Sequence, residues 1–422
     1  MSRARPCTAS VVAILAVLVG ASCSSSKDTT TSTASSNPSK LPAYAATLQP
    51  QIVQLLKDNA IPGATVLIRS RDQGDWTATF GTTELGKETP PTVDDFWRIA
   101  SNTKMYTSTV ILQLVQEGKL KLDDPISKFR PDVPNGDNIT IAQLSEMRSG
   151  LFPYTSDLGV NETQDNDPKK VWTPEECLAI AFAHPPDFAP GTQFEYSNTN
   201  TVLLGLVVEK LTGMSLADAY KKRIFEPLGL KHTSMPAATD ASIPDPHPQG
   251  YSFGTNVSTI ETFALPPDQQ AAAVAGTLKP TNHTNDNPSY AFGAGNLIST
   301  VDDMATFIKA MVGGGLMDEQ MQKIRMDSIQ PINPANPAAG YGLGILRFPG
   351  KIYGHDGQMP GFMTFMGYDP VADNTIIVAT NLATVPSGQG SALVLVKAIL
   401  PVLYGSGAIP GDSGAAPSTT TG

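Results

Sequence analysis

Ser101 and Lys104 are the residues whose types and spacing first suggest chemistry. They lie three apart in Phe96-Trp97-Arg98-Ile99-Ala100-Ser101-Asn102-Thr103-Lys104, and Met105, Val110, Ile111, Leu114 and Val115 follow at helical spacing until Gly118. Residues three apart share one face of a helix. A hydroxyl at a helix N-terminus has backbone N–H groups around it, and a desolvated, neutral amine beside it can take its proton. Ser101 is therefore a candidate activated nucleophile. The spacing alone is weak, because Ser24 and Lys27 repeat it in a stretch that reads as disordered. Two rarer triplets add weight. Tyr196-Ser197-Asn198 lies 95 residues beyond Ser101, and His355-Asp356-Gly357 another 159 beyond that. Tyr-x-Asn and His-x-Gly each occur once in the chain.

These side chains need elements to carry them. Residues 48–59 have helical apolar spacing (Ile52, Leu55, Leu56) and are broken by Pro62-Gly63. Residues 64–68 and 76–80 read as two strands joined through Asp72-Gln73-Gly74-Asp75, a hairpin signal. Helices are expected over 139–147, ended near Gly150, and over 173–182, with Thr173 as N-cap and Pro174 at the first position. Two more follow over 199–213 and 215–224, and residues 236–287 read mostly as loop. Ser299 or Thr300 caps a helix over 301–312, with Asp302 and Asp303 in its first turn. Four strand-like runs follow, at 344–348, 351–354, 362–368 and 375–380, then a helix over 391–403. Strands at both ends with helices between them predict an α+β fold. Its core is an antiparallel sheet of five to six strands flanked by helices, with a mainly helical subdomain inserted at about residues 125–290.

The chain has 422 residues, enough for a large core, and 41% of them are hydrophobic. Its net charge of −10 argues against nucleic acid or an anionic membrane surface as partner. Arg3 and Arg5 precede an apolar run at 11–19 and then Gly20-Ala21-Ser22-Cys23. That is the pattern of a secretory signal over residues 1–23, and it is too short for a comfortable membrane span. Small residues directly before a cysteine resemble a bacterial lipoprotein signal, in which Cys23 is lipidated and anchors the chain without crossing the bilayer. Gly20 departs from that pattern, which usually has a larger aliphatic residue there. The expected location is the cell envelope, on the outer face of the bacterial membrane, or else the medium. Residues 24–43 read as a Ser/Thr-rich disordered tether, 44–404 as the catalytic domain and 405–422 as a disordered tail. Cys177 is then the one thiol of the mature body and reads as packed and inert. His184, His232, His247 and His283 lack paired ligand spacing, so no metal or other cofactor is expected.

With Ser101, Lys104, Tyr196, Asn198, His355 and Gly357 in this order, residues 48–403 resemble the serine beta-lactamase and penicillin-recognising DD-peptidase superfamily. By motif the chain is most similar to the class C beta-lactamase, D-alanyl-D-alanine carboxypeptidase and carboxylesterase group. The resemblance implies a beta-lactamase/transpeptidase-like fold and roles for each residue. Ser101 forms an acyl-enzyme, Lys104 takes or relays its proton, and Tyr196 serves as base or as acid toward the leaving group. Asn198 binds a substrate amide and holds Lys104. His355 stands at a substrate-binding position, and Gly357 lets the substrate lie along the strand edge. The backbone N–H groups of Ser101 and Gln358 form the oxyanion hole.

The activity this implies first is D-alanyl-D-alanine carboxypeptidase-like hydrolysis of cell-wall peptides. Carboxylesterase and class C-like beta-lactamase follow, so the substrate is a small peptide, ester or beta-lactam. Asp356 is a departure, because relatives place a small or hydroxyl residue where the substrate carboxylate binds. An acid there repels a carboxylate and points toward an esterase, or an aminopeptidase acting on a positively charged or neutral group. A reading of another class is a non-catalytic envelope lipoprotein that keeps the fold for binding or sensing. The intact Ser101, Lys104, Tyr196 and Asn198 set speaks against it.

Overall fold

The computed structural model describes residues 41–405. The leader with Cys23, the tether up to residue 40 and the tail from residue 406 lie outside the described residues.

The helices that frame the site are α1 (Ala43–Asp58), α2 (Thr103–Gln116), α3 (Pro174–Ala183), α4 (Asn198–Thr212), α5 (Val301–Gly313), α6 (Glu319–Asp327) and α7 (Ser391–Tyr404). The main sheet contains β1 (Gly63–Ser70), β2 (Trp76–Gly81), β3 (Gln330–Asn333), β4 (Asn336–Tyr341), β5 (Leu346–Phe348), β6 (Ile352–Met359), β7 (Phe362–Asp369) and β8 (Asn374–Thr380). Its order is β2-β1-β8-β7-β6-β5-β4-β3, and each neighbouring pair is antiparallel. The two N-terminal strands thus close onto the last C-terminal one, through registers such as Val66 opposite Val378.

The fold class is as expected, but the sheet has eight strands rather than five or six. The two missed strands are β3 and β4, whose text is interrupted by Pro331 and Pro337. Proline cannot donate to a ladder and is tolerated at sheet edges. Here β3 is an edge strand, and β5 pairs with β4 only at Gly340 and Tyr341, beyond Pro337. Helix α1 begins five residues earlier than expected, because Tyr44 and Ala45 continue the buried stripe of Leu48, Ile52 and Leu56. The helix expected over 139–147 is only Ile141–Ser145, held by a capping box between Thr140 and Gln143 and ended where Met147 takes a φ of +59°. Thr173 and Glu176 form the same device at the start of α3. Cys177, on α3, is buried among apolar side chains, and burial pushes its thiol up to about 12.

The sheet is buried on both faces. Val66 and Ile68 of β1 and Ile376 and Val378 of β8 pack with Leu48 and Ile52 of α1 and Leu395 and Ile399 of α7. The alternate residues Leu67, Ile377 and Ala379 join Met304, Phe307 and Ile308 of α5, in a core that continues into α2 and α4. Strands covered on two sides have no polar face, which is why β7 and β8 read as unbroken apolar runs.

The nucleophile segment docks onto this sheet by hydrogen bonds as well as packing. Trp97 and Arg98 pair with Ile298 and Ser299 in a separate two-stranded ladder. The Trp97 ring, fully buried, meets Phe362 of β7 edge-on. On β7, Thr364 Oγ1 donates to the Ile99 carbonyl at 3.1 Å and accepts from Asn102 Nδ2 at 2.8 Å. Thr364→Val keeps the shape and removes both bonds inside a dry contact. It should cost about 1–3 kcal/mol in urea unfolding, with the far-ultraviolet circular dichroism unchanged. A loss below a few tenths would mean these bonds do not hold the segment.

Candidate active site

Ser101 sits in a 3₁₀ turn, Ala100–Asn102, that runs straight into α2. Ala100 has a φ of +45°, rare for a side chain with a Cβ. Strain of this kind persists only where the surroundings over-determine it. Here the ladder to Ile298, the Thr364 bonds and the buried face of α2 all hold the turn.

Lys104, in the first turn of α2, is fully buried. Its Nζ lies 3.0 Å from Ser101 Oγ, 2.7 Å from Asn198 Oδ1 and 2.8 Å from the Ala294 carbonyl oxygen. No carboxylate is among these partners. Burial holds the amine well below the usual lysine value, offset only through space by Asp356. A neutral amine has two N–H donors and one lone pair. In that form Asn198 and Ala294 accept the two N–H bonds and the lone pair is left for the Ser101 hydroxyl; in the charged form the third N–H donates to Ser101 Oγ. Asn198 opens α4, and its Nδ2 donates to Thr155 Oγ1 at 3.2 Å. The Asn198 side chain is therefore tied into the protein at both ends.

The Tyr196 ring lies 4.8 Å from Lys104 Nζ. Burial, with Tyr341 beside it, raises its phenol well above the ordinary value. Ser101 is near enough to pull against that shift, yet the Tyr196 hydroxyl has no hydrogen-bond partner among the described residues. A phenol in this setting is protonated. His355 is 1% exposed and has both ring nitrogens engaged. Nδ1 donates to the Asp356 carbonyl at 2.5 Å, and Nε2 accepts from Tyr341 Oη at 3.3 Å, an assignment made from the partners. Burial pulls its pKa down to about 3, so it is neutral. The ring stands 5.9 Å from that of Tyr196. His355 thus packs against Tyr196 and Tyr341, which places it among the gathered site residues.

Gly357 is required for a different reason than a substrate lying along the strand. A Cβ there would run into the Ile99 carbonyl and come within 2.9 Å of Asn102 Nδ2 and 3.0 Å of the Ser101 nitrogen. Only glycine lets β6 press against the nucleophile turn. That contact brings the Ser101 N–H and the neighbouring Gln358 onto one small cavity. About 250 Å³ of unfilled space there is lined by Ser101, Asn198, Tyr290, Gly295, Gln358 and Met359. The structure therefore gathers Ser101, Lys104, Tyr196, Asn198, His355, Gly357 and Gln358 in one place.

Three participants were missed in the sequence. The Ala294 carbonyl is backbone and leaves no mark on residue identity. Tyr341 and Tyr290 lie in stretches where neither spacing nor composition marks a site residue.

A family model described as Beta-lactamase matches residues 48–398. The chain belongs to the Beta-lactamase family. Its relatives include Protein flp of Staphylococcus aureus (strain MW2), 27% identical over 337 residues, which cover 78% of this chain and 61% of that protein. Penicillin-binding protein 4* of Bacillus subtilis (strain 168) is 26% identical over 293 residues, 68% of this chain and 61% of that one. The chain thus spans 61% of the length of either protein. Solved structures match over nearly their whole length. A D-stereospecific amidohydrolase from Streptomyces sp. has a TM-score of 0.71 and 30% identity, covering 85% of this chain and 98% of its own. The D-amino acid amidase of Ochrobactrum anthropi SV3, complexed with D-phenylalanine, has a TM-score of 0.71 and 26% identity, covering 85% and 99%.

In this Beta-lactamase family member, Gly357→Ala should force β6 away from the Ser101 turn. Acylation of Ser101 by a fluorophosphonate should fall by about 10²-fold or more, the scale of losing an oxyanion donor. Near-normal labelling would show that the turn and β6 need not touch.

Proposed function

We propose that the protein is a serine hydrolase that cleaves amide bonds through an acyl-enzyme on Ser101. The observation that carries this reading is the Lys104 amine, fully buried, with two carbonyl oxygens for its N–H bonds and the Ser101 hydroxyl for its lone pair. Ser101 Oγ attacks the substrate carbonyl carbon and its proton passes to Lys104 Nζ. The developing oxyanion takes hydrogen bonds from the backbone N–H groups of Ser101 and Gln358. Collapse breaks the C–N bond, and the leaving amine receives a proton through Tyr196, whose phenol is replenished from Lys104. Water then enters along the same path in reverse and releases the acid.

Of the two bases that the family resemblance leaves open, the charge pattern favours Lys104. Burial disfavours the charged form of each group, which keeps the Tyr196 phenol protonated and moves the Lys104 amine toward its neutral, basic form.

The same pattern bears on substrate. A carboxypeptidase must hold a carboxylate near the scissile bond, which calls for a cation. Burial lowers the pKa of both Lys104 and His355, which disfavours positive charge on either, and Asp356 is an acid. Together with the likeness to the D-amino acid amidase, this favours amide substrates without a free carboxylate at the cleavage site. It ranks them above D-alanyl-D-alanine peptides.

Intact-mass analysis after fluorophosphonate treatment should show one adduct on Ser101, absent in Ser101→Ala. An unlabelled wild type would end the reading. Because the base must be deprotonated, labelling should rise with pH through the lowered Lys104 pKa and then level off, well below the range of a free lysine. Lys104→Arg, which cannot give up its proton, should abolish that limb and cut labelling at least about 10²-fold at every pH. Tyr196→Phe should leave folding intact and reduce amide turnover by about 10²-fold or more. Turnover within a few-fold of wild type would remove the phenol from the mechanism.

A further inference from the structure

Asp356 is an acid beside the candidate site that makes no ion pair with a lysine or arginine among the described residues. It stands on β6 between His355 and Gly357, the two residues that fit this strand against Tyr196 and the Ser101 turn. Only 23% of its side chain remains exposed. Its Oδ1 lies 3.6 Å from His355 Nδ1, but that nitrogen already donates to the Asp356 carbonyl, and the imidazole is neutral. Among the described residues no lysine or arginine comes within ion-pair distance of it. The Lys104 amine acts on it only through space, and offsets only part of the shift that burial causes. Burial accordingly pushes the Asp356 carboxyl up from its usual range.

A mostly desolvated carboxylate without a counter-ion is costly, and the cost is relieved when a ligand brings a positive charge to it. Strand β5 pairs with β6 only as far as Gly354, so from His355 to Met359 that edge of β6 has no strand beside it among the described residues. Gln358, two residues along, lines the cavity at Ser101. We propose that Asp356 is the recognition group for an ammonium on the substrate, so that the site selects aminoacyl amides with a free α-amine next to the scissile carbonyl. This rests on the acyl-enzyme reading, because Ser101 defines where that carbonyl lies. The amine and the carboxylate form a charge-assisted hydrogen bond in the place where carboxylate-bearing substrates would be repelled.

The test is protection of Ser101 against fluorophosphonate at pH 7 by D-alaninamide and by N-acetyl-D-alaninamide, which lacks the charge. The ratio of half-protecting concentrations within one enzyme cancels any general loss of reactivity. Wild type should favour the free amine by about 10–100-fold, the worth of a hydrogen bond to a charged group. Asp356→Asn should bring the ratio close to one, and Asp356→Glu should retain part of it. A wild-type ratio near one, no protection by either amide, or a preference undiminished in Asp356→Asn would overturn the assignment. In each of those cases the adduct on Ser101 still forms, so the acyl-enzyme reading stands. If wild type forms no adduct, that reading fails and this one with it.

Discussion

An amine buried without a counter-ion is the constraint on which the rest of this site depends. Taking an ammonium out of water costs several kcal/mol unless a partner compensates it. Here the immediate partners of Lys104 are a hydroxyl and two carbonyl oxygens. Burial moves the group toward its neutral form, the form in which an amine can act as a base. The three partners come from three separate pieces of chain: the turn before α2, the first residue of α4 and the short helix Phe292–Gly295. Each must arrive in place for the amine to be satisfied. The packing of α2 against α4, in a core they share with the sheet, is therefore also what brings the partners of Lys104 together.

The same economy extends outward. Tyr196, Tyr341 and His355 form a buried aromatic group, with ring centres about 6 Å apart, and each is uncharged. Low polarity around the nucleophile raises the worth of every dipole aimed at it, including the backbone N–H groups beside Ser101. Asp356 is the one acid in this group, and it lies at the strand edge where a substrate has room.

Much of this was legible in the residues before any coordinates. The helical spacing after Ser101, the Thr173-Pro174 cap, the apolar runs of β7 and β8 and the three triplets are local signals, and local signals survive in text. What stayed hidden was of another kind. The Ala294 carbonyl is a backbone group with no residue-type signature. The β3–β4 hairpin is written in prolines that spacing rules count against a strand, and only the edge position makes them tolerable. The collision a Cβ at Gly357 would make with the Ile99 carbonyl is a tertiary distance, which no residue type records. The burial of His355 and its bond to Tyr341 are tertiary facts of the same kind.

Tyr341 is the last residue of β4, and it is paired across to both Gln330 of β3 and Leu346 of β5. Side chains alternate along a strand, so a slip of one residue in that outer hairpin would carry the phenol to the opposite side of the sheet. The imidazole at 355 would then lose its donor, and the wall behind the proton-transferring groups would open. A peripheral ribbon more than two hundred residues downstream of the nucleophile in sequence thus acts as a vernier for the catalytic centre.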